Sequence, residues 1–273
     1  MYVCGILDRG ATGDAIERTA DQLVDRLSER GRVGVLRYDA TIADGTALDA
    51  TVTGGEITYE LGADGDWTAT GTTLSVADAL ESLARTCEYA VVIGVETLRY
   101  PTVAVGSATV EESMLAAAET PNGFDFPAIV DALETTDPYE TLQSLVDRIK
   151  RSERADRAGA IATFTGRVRA KDSPDDERTE YLEFEKYEGV AEQRLATLTE
   201  ELEAREGVFA VELHHRTGVV RDGEDIVFVV VLAGHREEAF RTVEDGINRL
   251  KDEVPLFKKE VTVDEEFWVH ERS

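Results

Sequence analysis

The stretch EYAVVIGVE, residues 88–96, is a near-continuous apolar run with no charged side chain between its two glutamates. A strand with one wet face alternates apolar and polar residues, because successive side chains point to opposite sides. This stretch does not alternate, so both of its faces need cover. Strands of that kind belong to parallel sheets layered between helices. The start of the chain agrees. An apolar strand, Tyr2 to Leu7, leads through the loop DRGATGD into an amphipathic helix of about Ala15 to Glu29. Ile16, Ala20, Leu23, Val24 and Leu27 recur there at helical spacing, and Gly31 is the natural stop. VGVLRYD then reads as a second strand, giving a β-loop-α-β opening. Thr/Gly/Asp-rich residues 44–73 predict a hairpin or meander turning at Ala63-Asp64-Gly65. A helix over Val76 to Arg85 capped by Ser75, a strand PTVAVG and a helix FPAIVDALETT complete an α/β domain expected over residues 1–135.

The remaining residues, 136–273, have a different rhythm. Asp137, Pro138 and Glu140 look like N-cap, N1 and N3 of a helix running to about Arg151. Strands follow at AIATFTGRVR, EYLEFEKY, FAVELHHRTG and IVFVVVLAG, with helices at about Val190 to Arg205 and Glu237 to Glu253. FKKEVTV and EFWVHE are short closing strands. This mixture predicts an α+β domain, and 273 residues suit two domains.

The net charge of −27 repels nucleic acid and anionic membranes. Of the 29 basic residues only six are lysines, leaving 23 arginines. An acidic, lysine-poor surface predicts a halophilic protein, since at molar salt the Debye length is only about 3 Å. The two cysteines, Cys4 and Cys87, are too few and too far apart for a metal site or disulfide framework. The N-terminus has neither a basic leader nor a long apolar core, and the longest apolar runs fall short of the roughly 20 residues a membrane helix needs. A soluble cytoplasmic protein without cofactor or metal is expected.

The first loop bears on nucleotide chemistry. A phosphate loop reads G-x-x-x-x-G-K-[ST]. Gly5, Gly10 and Gly13 partly keep that spacing, but Asp14 stands where the lysine belongs, and no lysine precedes Lys150. A carboxylate there repels a triphosphate. In layout, through IERTADQLVDRLSERGRVGVLRYD and CEYAVVIGVETLRYPTVAVG, residues 1–135 resemble the MobB-type domain linked to molybdopterin guanine dinucleotide biosynthesis. The resemblance implies a P-loop-like fold, here degenerate, with a structural or docking role. The alternative is a domain that still binds guanine nucleotide.

Three of the six lysines, Lys251, Lys258 and Lys259, lie within nine residues. Lysine can give up a proton when buried or beside other cations, so it can serve as acid, base or nucleophile. Arg167 and Arg169 end the strand TFTGRVR, where Gly166 allows close approach. His235 and Arg236 open a helix whose N-terminus favours anions. Each is equally readable as a solvated charge; together they suit one anion-holding pocket. AGAIATFTGRVR, LEFEKYEGVAEQRL, HHRTGVVRDGEDIVFVVVLAGHREEAF, RLKDEVPLFKKE and FWVHER occur in an order and spacing similar to the catalytic, large subunit of molybdopterin synthase (the MoaE family).

That resemblance implies an α/β hammerhead fold for the C-terminal domain. It also implies conversion of cyclic pyranopterin monophosphate to molybdopterin by insertion of two sulfurs. The sulfur arrives as a thiocarboxylate on the Gly-Gly C-terminus of a small ubiquitin-like subunit, and two large subunits pair within a heterotetramer. The family's catalytic lysines fall on Lys251 and Lys258. Its substrate positions fall on Arg167, Val168, Arg169, His235, Arg236, Lys258, Lys259 and Glu260, with Phe164 and Arg272 near the pocket. Arg169, His235 and Arg236 then hold the phosphate and the pterin edge. Leu256-Phe257 departs from an aromatic pair often found there, and the acidic loop Asp172 to Glu177 has no assigned role. A non-catalytic scaffold for the ubiquitin-like subunit is the rival reading. The charge pattern predicts loss of secondary structure as salt is dialysed away, followed by circular dichroism; full structure in dilute buffer would refute salt adaptation.

Overall fold

The computed structural model describes residues 1–38, 57–107, 109–111, 114–171, 173–187, 189–262 and 266–269. The chain divides into two compact units, Met1–Tyr139 and Glu140–Ser273. The predicted segment 44–56 and Arg272 lie outside the described residues.

In the first unit β1 (Tyr2–Asp8) leads into α1 (Gly13–Ser28), then β2 (Val33–Arg37). A separate hairpin, β3 (Ile57–Leu61) and β4 (Trp67–Gly71), exposes Ile57, Tyr59, Leu61 and Trp67 along one face. After it come α2 (Val76–Ala84), β5 (Tyr89–Ile93), β6 (Thr102–Val105), β7 (Met114–Ala118) and α3 (Phe126–Leu133). The sheet order is β2-β5-β1-β6-β7, with every pairing parallel. The uninterrupted apolar run becomes β5, and its residues serve two cores alternately. Tyr89 and Val91 join Leu23, Leu27 and Leu133 beneath α1 and α3. Ala90 and Val92 join Val3 and Leu80 beneath α2. The parallel layer of the sequence reading is therefore present. β7 was not predicted: its alanines have low strand propensity, and only pairing to β6 makes them a strand.

The second unit runs α4 (Leu142–Ile149), β8 (Ala160–Arg167), β9 (Thr179–Lys186), α5 (Val190–Glu203), β10 (Val208–His215), β11 (Gly218–Arg221), β12 (Asp225–Ala233), α6 (Arg236–Glu253), β13 (Leu256–Thr262) and β14 (Glu266–Val269). The helix predicted to start at Pro138 starts four residues later. Thr141 is its N-cap and shares a capping box with Ser144, whereas Glu140 accepts a hydrogen bond from the Ser144 hydroxyl at 2.6 Å and pairs with Arg148. A second hydroxyl cap downstream thus outcompetes the Asp137 signal.

Two antiparallel sheets form this unit, β10-β12-β8 and β11-β9-β13-β14. Central strand β12 is buried on both faces. Val227, Val229 and Val231 meet α5 and α6, while Phe228, Val230 and Leu232 meet α4. A smaller core of Val168, Leu182, Phe184 and Val220 lies where β9 approaches the end of β8. Gly246 lets α6 lie close on β12, since a Cβ there would stand 3.1 Å from Val229 Cγ1.

Candidate active site

α6 starts directly after β12 and packs back along β12 and β8. Its first residue is Arg236, with His235 as N-cap; Lys251 lies in its last turn. Fifteen residues at 1.5 Å rise separate Arg236 from Lys251 by about 22 Å. The single anion pocket expected to hold His235, Arg236 and Lys251 together is therefore not formed within one chain. A helix is a stiff rod, and these cations occupy its two ends.

Other predicted residues sort between the same two ends. β8 is antiparallel to β12, with Ala160 opposite Ala233 and Arg167 opposite Asp225. Arg167 and Arg169 consequently lie at the Lys251 end, away from His235. Arg167 is anchored: its Nε and Nη2 donate to the Gly223 carbonyl at 3.2 and 2.5 Å, and Asp225 Oδ1 lies 3.4 Å away. Val168 is buried, and its backbone bonds with Gly223 and Glu224. Its side chain packs with Leu182, Phe184 and Val220, which fixes the backbone between the flanking arginines. Arg169, His235, Arg236 and Lys251 are exposed. The side chains of Arg236 and Lys251 have no ion-pair partner among the described residues. Phe164 is half-buried against the core beneath α6, and a Cβ on Gly166 would stand 3.4 Å from its ring and 2.6 Å from Val227. Gly166 thus lets β8 pass tightly at this point.

β13 divides the remaining three. Lys258 pairs with Phe184, Lys259 with Glu183 and Glu260 with Leu182. Neighbours on a strand face opposite ways, so Lys258 and Glu260 share a face and Lys259 takes the other. Lys259 Nζ lies 3.7 Å from Glu183 Oε2, and Glu260 accepts the Thr179 hydroxyl at 2.5 Å. The face bearing Lys258 also bears Leu182 and Phe184, which pack on Val168. That face brings Lys258 toward the Arg167–Arg169 segment. The end of α6 is tied to α5 by two ion pairs, Arg249 with Glu201 and Glu253 with Arg194, while Arg249 Nε also lies 2.7 Å from Glu253 within α6 itself. These ties fix where the helix stops and where the Pro255 turn into β13 begins. The acidic loop is internally bonded, with Ser173 N donating to Asp176 at 2.6 Å, and Arg178 pairs with Asp222.

One group here was read only as part of a strand. His215 ends β10, partly buried, with its ring centroid 4.8 Å from that of Phe184. Burial pushes its pKa down to about 4. The HHR tripeptide at a strand end was the available signal, but adjacent histidines reveal nothing of burial.

The first unit's loop is also defined. Asp8 Oδ1 accepts from the backbone N–H of Gly10 at 2.9 Å and of Ala11 at 2.8 Å. Thr12 caps α1 by accepting from Ala15 N. Gly106 presses on this loop so closely that a Cβ would be 2.5 Å from Ala11 N. The Gly10 and Ala11 amides are thus both taken up by the chain's own carboxylate. Cys4, beneath the loop, is fully buried with its thiol pushed up to about 12, which makes it unreactive. Among the described residues no His/Cys/Asp/Glu group could hold a metal, and no helix is long and apolar enough to cross a membrane.

Comparison with known proteins identifies the class first. Residues 135–253 match the family model described as MoaE protein. A Haloferax volcanii protein named probable molybdopterin synthase is 48% identical over 272 residues, covering 100% of both chains. The Bacillus subtilis molybdopterin synthase catalytic subunit is 36% identical over 135 residues, 50% of this chain and 82% of that one. The crystal structure of molybdopterin synthase from Staphylococcus aureus aligns with a TM-score of 0.40 at 34% identity, covering 42% of this chain and 83% of that chain. A complex of subunits 1 and 2 of the molybdopterin-converting factor from Helicobacter pylori aligns at 0.40 and 23% identity, covering 48% of this chain and 85% of that chain. The chain belongs to the MoaE family, and with it to molybdenum cofactor biosynthesis.

His215 has a measurable consequence. Its folded pKa lies below the usual 6.5, so between those values the unfolded chain binds more protons and stability rises with pH. Its contribution is complete above about pH 6.5 and falls as pH drops toward 4. Urea unfolding at pH 7 and pH 5 should show wild type losing up to about 2 kcal/mol more than His215→Phe. Equal losses in the two proteins would contradict burial of the neutral ring.

Proposed function

We propose that the chain is the catalytic subunit of a molybdopterin synthase, which inserts two sulfurs into cyclic pyranopterin monophosphate. The donor is a thiocarboxylate at the C-terminus of a small ubiquitin-like subunit. Lys251 stands beside that thiocarboxylate as acid, base and electrostatic stabiliser, and Lys258 assists from β13, on the far side of the Pro255 turn. Arg169, His235 and Arg236 hold the phosphate and the polar edge of the pterin.

The observation that carries the arrangement is the length of α6. His235 and Arg236 cannot serve the same substrate as Lys251 of their own chain across about 22 Å. They can serve the Lys251 of a second copy. β8 is the outer strand of its sheet, so its far edge carries unpaired N–H and C=O groups. Antiparallel pairing of β8 with the same strand of a second copy sets the Ala160 end of one against the Arg167 end of the other. His235 and Arg236 of one protomer then approach Arg167, Arg169 and Lys251 of its partner. Two equivalent sites follow from the two-fold axis.

The first unit supports a companion reading: a MobB-like α/β layer without nucleotide chemistry, favoured by the Asp8 carboxylate in its loop. Labelled GTP at millimolar concentration should show no saturable binding to the full chain; saturable binding would restore the bifunctional reading.

The catalytic reading is tested by supplying pterin precursor and thiocarboxylated carrier at high salt. Wild type should form dithiolene, and absence of product would refute the enzyme assignment. Lys251→Ala and Arg236→Ala should each lose most activity. Unfolded and refolded together, the two variants should recover about a quarter of wild-type activity, because half the dimers carry one intact site of two. No recovery would place the whole site within one chain.

A further inference from the structure

His215, partly buried at the end of β10, is a titratable group of the second unit that the proposed chemistry leaves unused. Its Nδ1 lies 2.7 Å from the Arg216 carbonyl oxygen. A carbonyl only accepts, so Nδ1 carries the proton and Nε2 the lone pair. This bond fixes both the tautomer and the plane of the ring. Nε2 has no hydrogen-bond partner among the described residues.

The ring's contacts suggest a role. It meets Phe184 edge-on, at 4.8 Å between centroids and 72° between planes. Phe184 is buried on β9 and stands directly opposite Lys258 on β13. Opposed residues of an antiparallel pair share a face, with Cβ atoms roughly 5 Å apart. The aliphatic stem of Lys258 thus starts beside a ring whose own orientation is set by a fixed imidazole. Leu182 and Val168 close the apolar side of this cluster, and Glu260, two residues along the same face, is bonded to Thr179.

We propose that His215 is a positioning residue for Lys258, acting through Phe184: the imidazole, locked by the Arg216 carbonyl, holds the phenyl ring that directs the lysine toward the substrate. This rests on the catalytic part proposed for Lys258. A flexible four-carbon stem samples many rotamers, and a wall that excludes some of them raises the fraction in the reactive geometry. The effect belongs to the chemical step, so it falls on kcat and spares pterin binding.

A double-mutant cycle on the full chain tests the inference, in the dithiolene-forming reaction with thiocarboxylated carrier. His215→Ala should lower kcat about tenfold in the wild-type background, with KM for the pterin changed less than twofold. In a Lys258→Ala background the same substitution should cost less than twofold, because the group it positions is gone. An equal loss in both backgrounds would overturn the inference, as would a rise in KM with kcat unchanged. Should His215→Ala not fold, Phe184→Leu carries the same cycle with the same expected coupling. A wild-type rate for Lys258→Ala alone would instead remove the part given to Lys258, a failure separable from the first by that single variant.

Discussion

A helix of fixed length governs the chemistry available to this chain. α6 has 18 residues, carries an uncovered cation near each end and is welded to β12 and β8 along its buried face. Ala239, Val243, Ile247 and Leu250 form that face, and Gly246 permits the close approach. No local rearrangement shortens such a rod. Any substrate that needs both ends must find them on different copies, and for such a substrate assembly is a condition of activity and not merely of stability. Arg249 and Glu253 matter for the same reason: they set the point where the rod ends.

The second constraint is the pleat of β13. Lys258 and Lys259 are adjacent and chemically identical, yet the strand sends them to opposite faces. Lys259 approaches Glu183 on a partly exposed face, where an ion pair contributes no more than about 1 kcal/mol. Lys258 sits among Phe184, Leu182 and the end of β8. Two lysines that composition treats alike are thus given separate surroundings by a single register.

Much of this was readable beforehand, for identifiable reasons. The run at residues 88–96 announced a two-faced strand because its apolar content leaves no wet side, and β5 serves two cores as that requires. Ser75 marked a helix start because capping is local chemistry, whereas Thr12, which caps α1, was read as loop and that helix was placed two residues late. The start of α4 was misread for the same reason in reverse: Asp137 and Thr141 both carry capping oxygens, and only tertiary packing chooses between them. β7 and β11 escaped because alanines, and a strand of four residues, acquire their identity from a neighbour. In the site, the cationic residue types were legible but their convergence was not. Distances along a helix can be counted from the sequence only once its ends are known, and His215 has no linear pattern to betray its burial.

The Asp8 carboxylate gives the first unit a property of a different kind. Loops that close around phosphate owe their shape to the ligand, and so exist in a filled and an empty form. Here the strand that precedes the loop brings its own acceptor, an exposed carboxylate that takes two backbone N–H groups. A loop furnished in this way needs no bound anion to hold its shape.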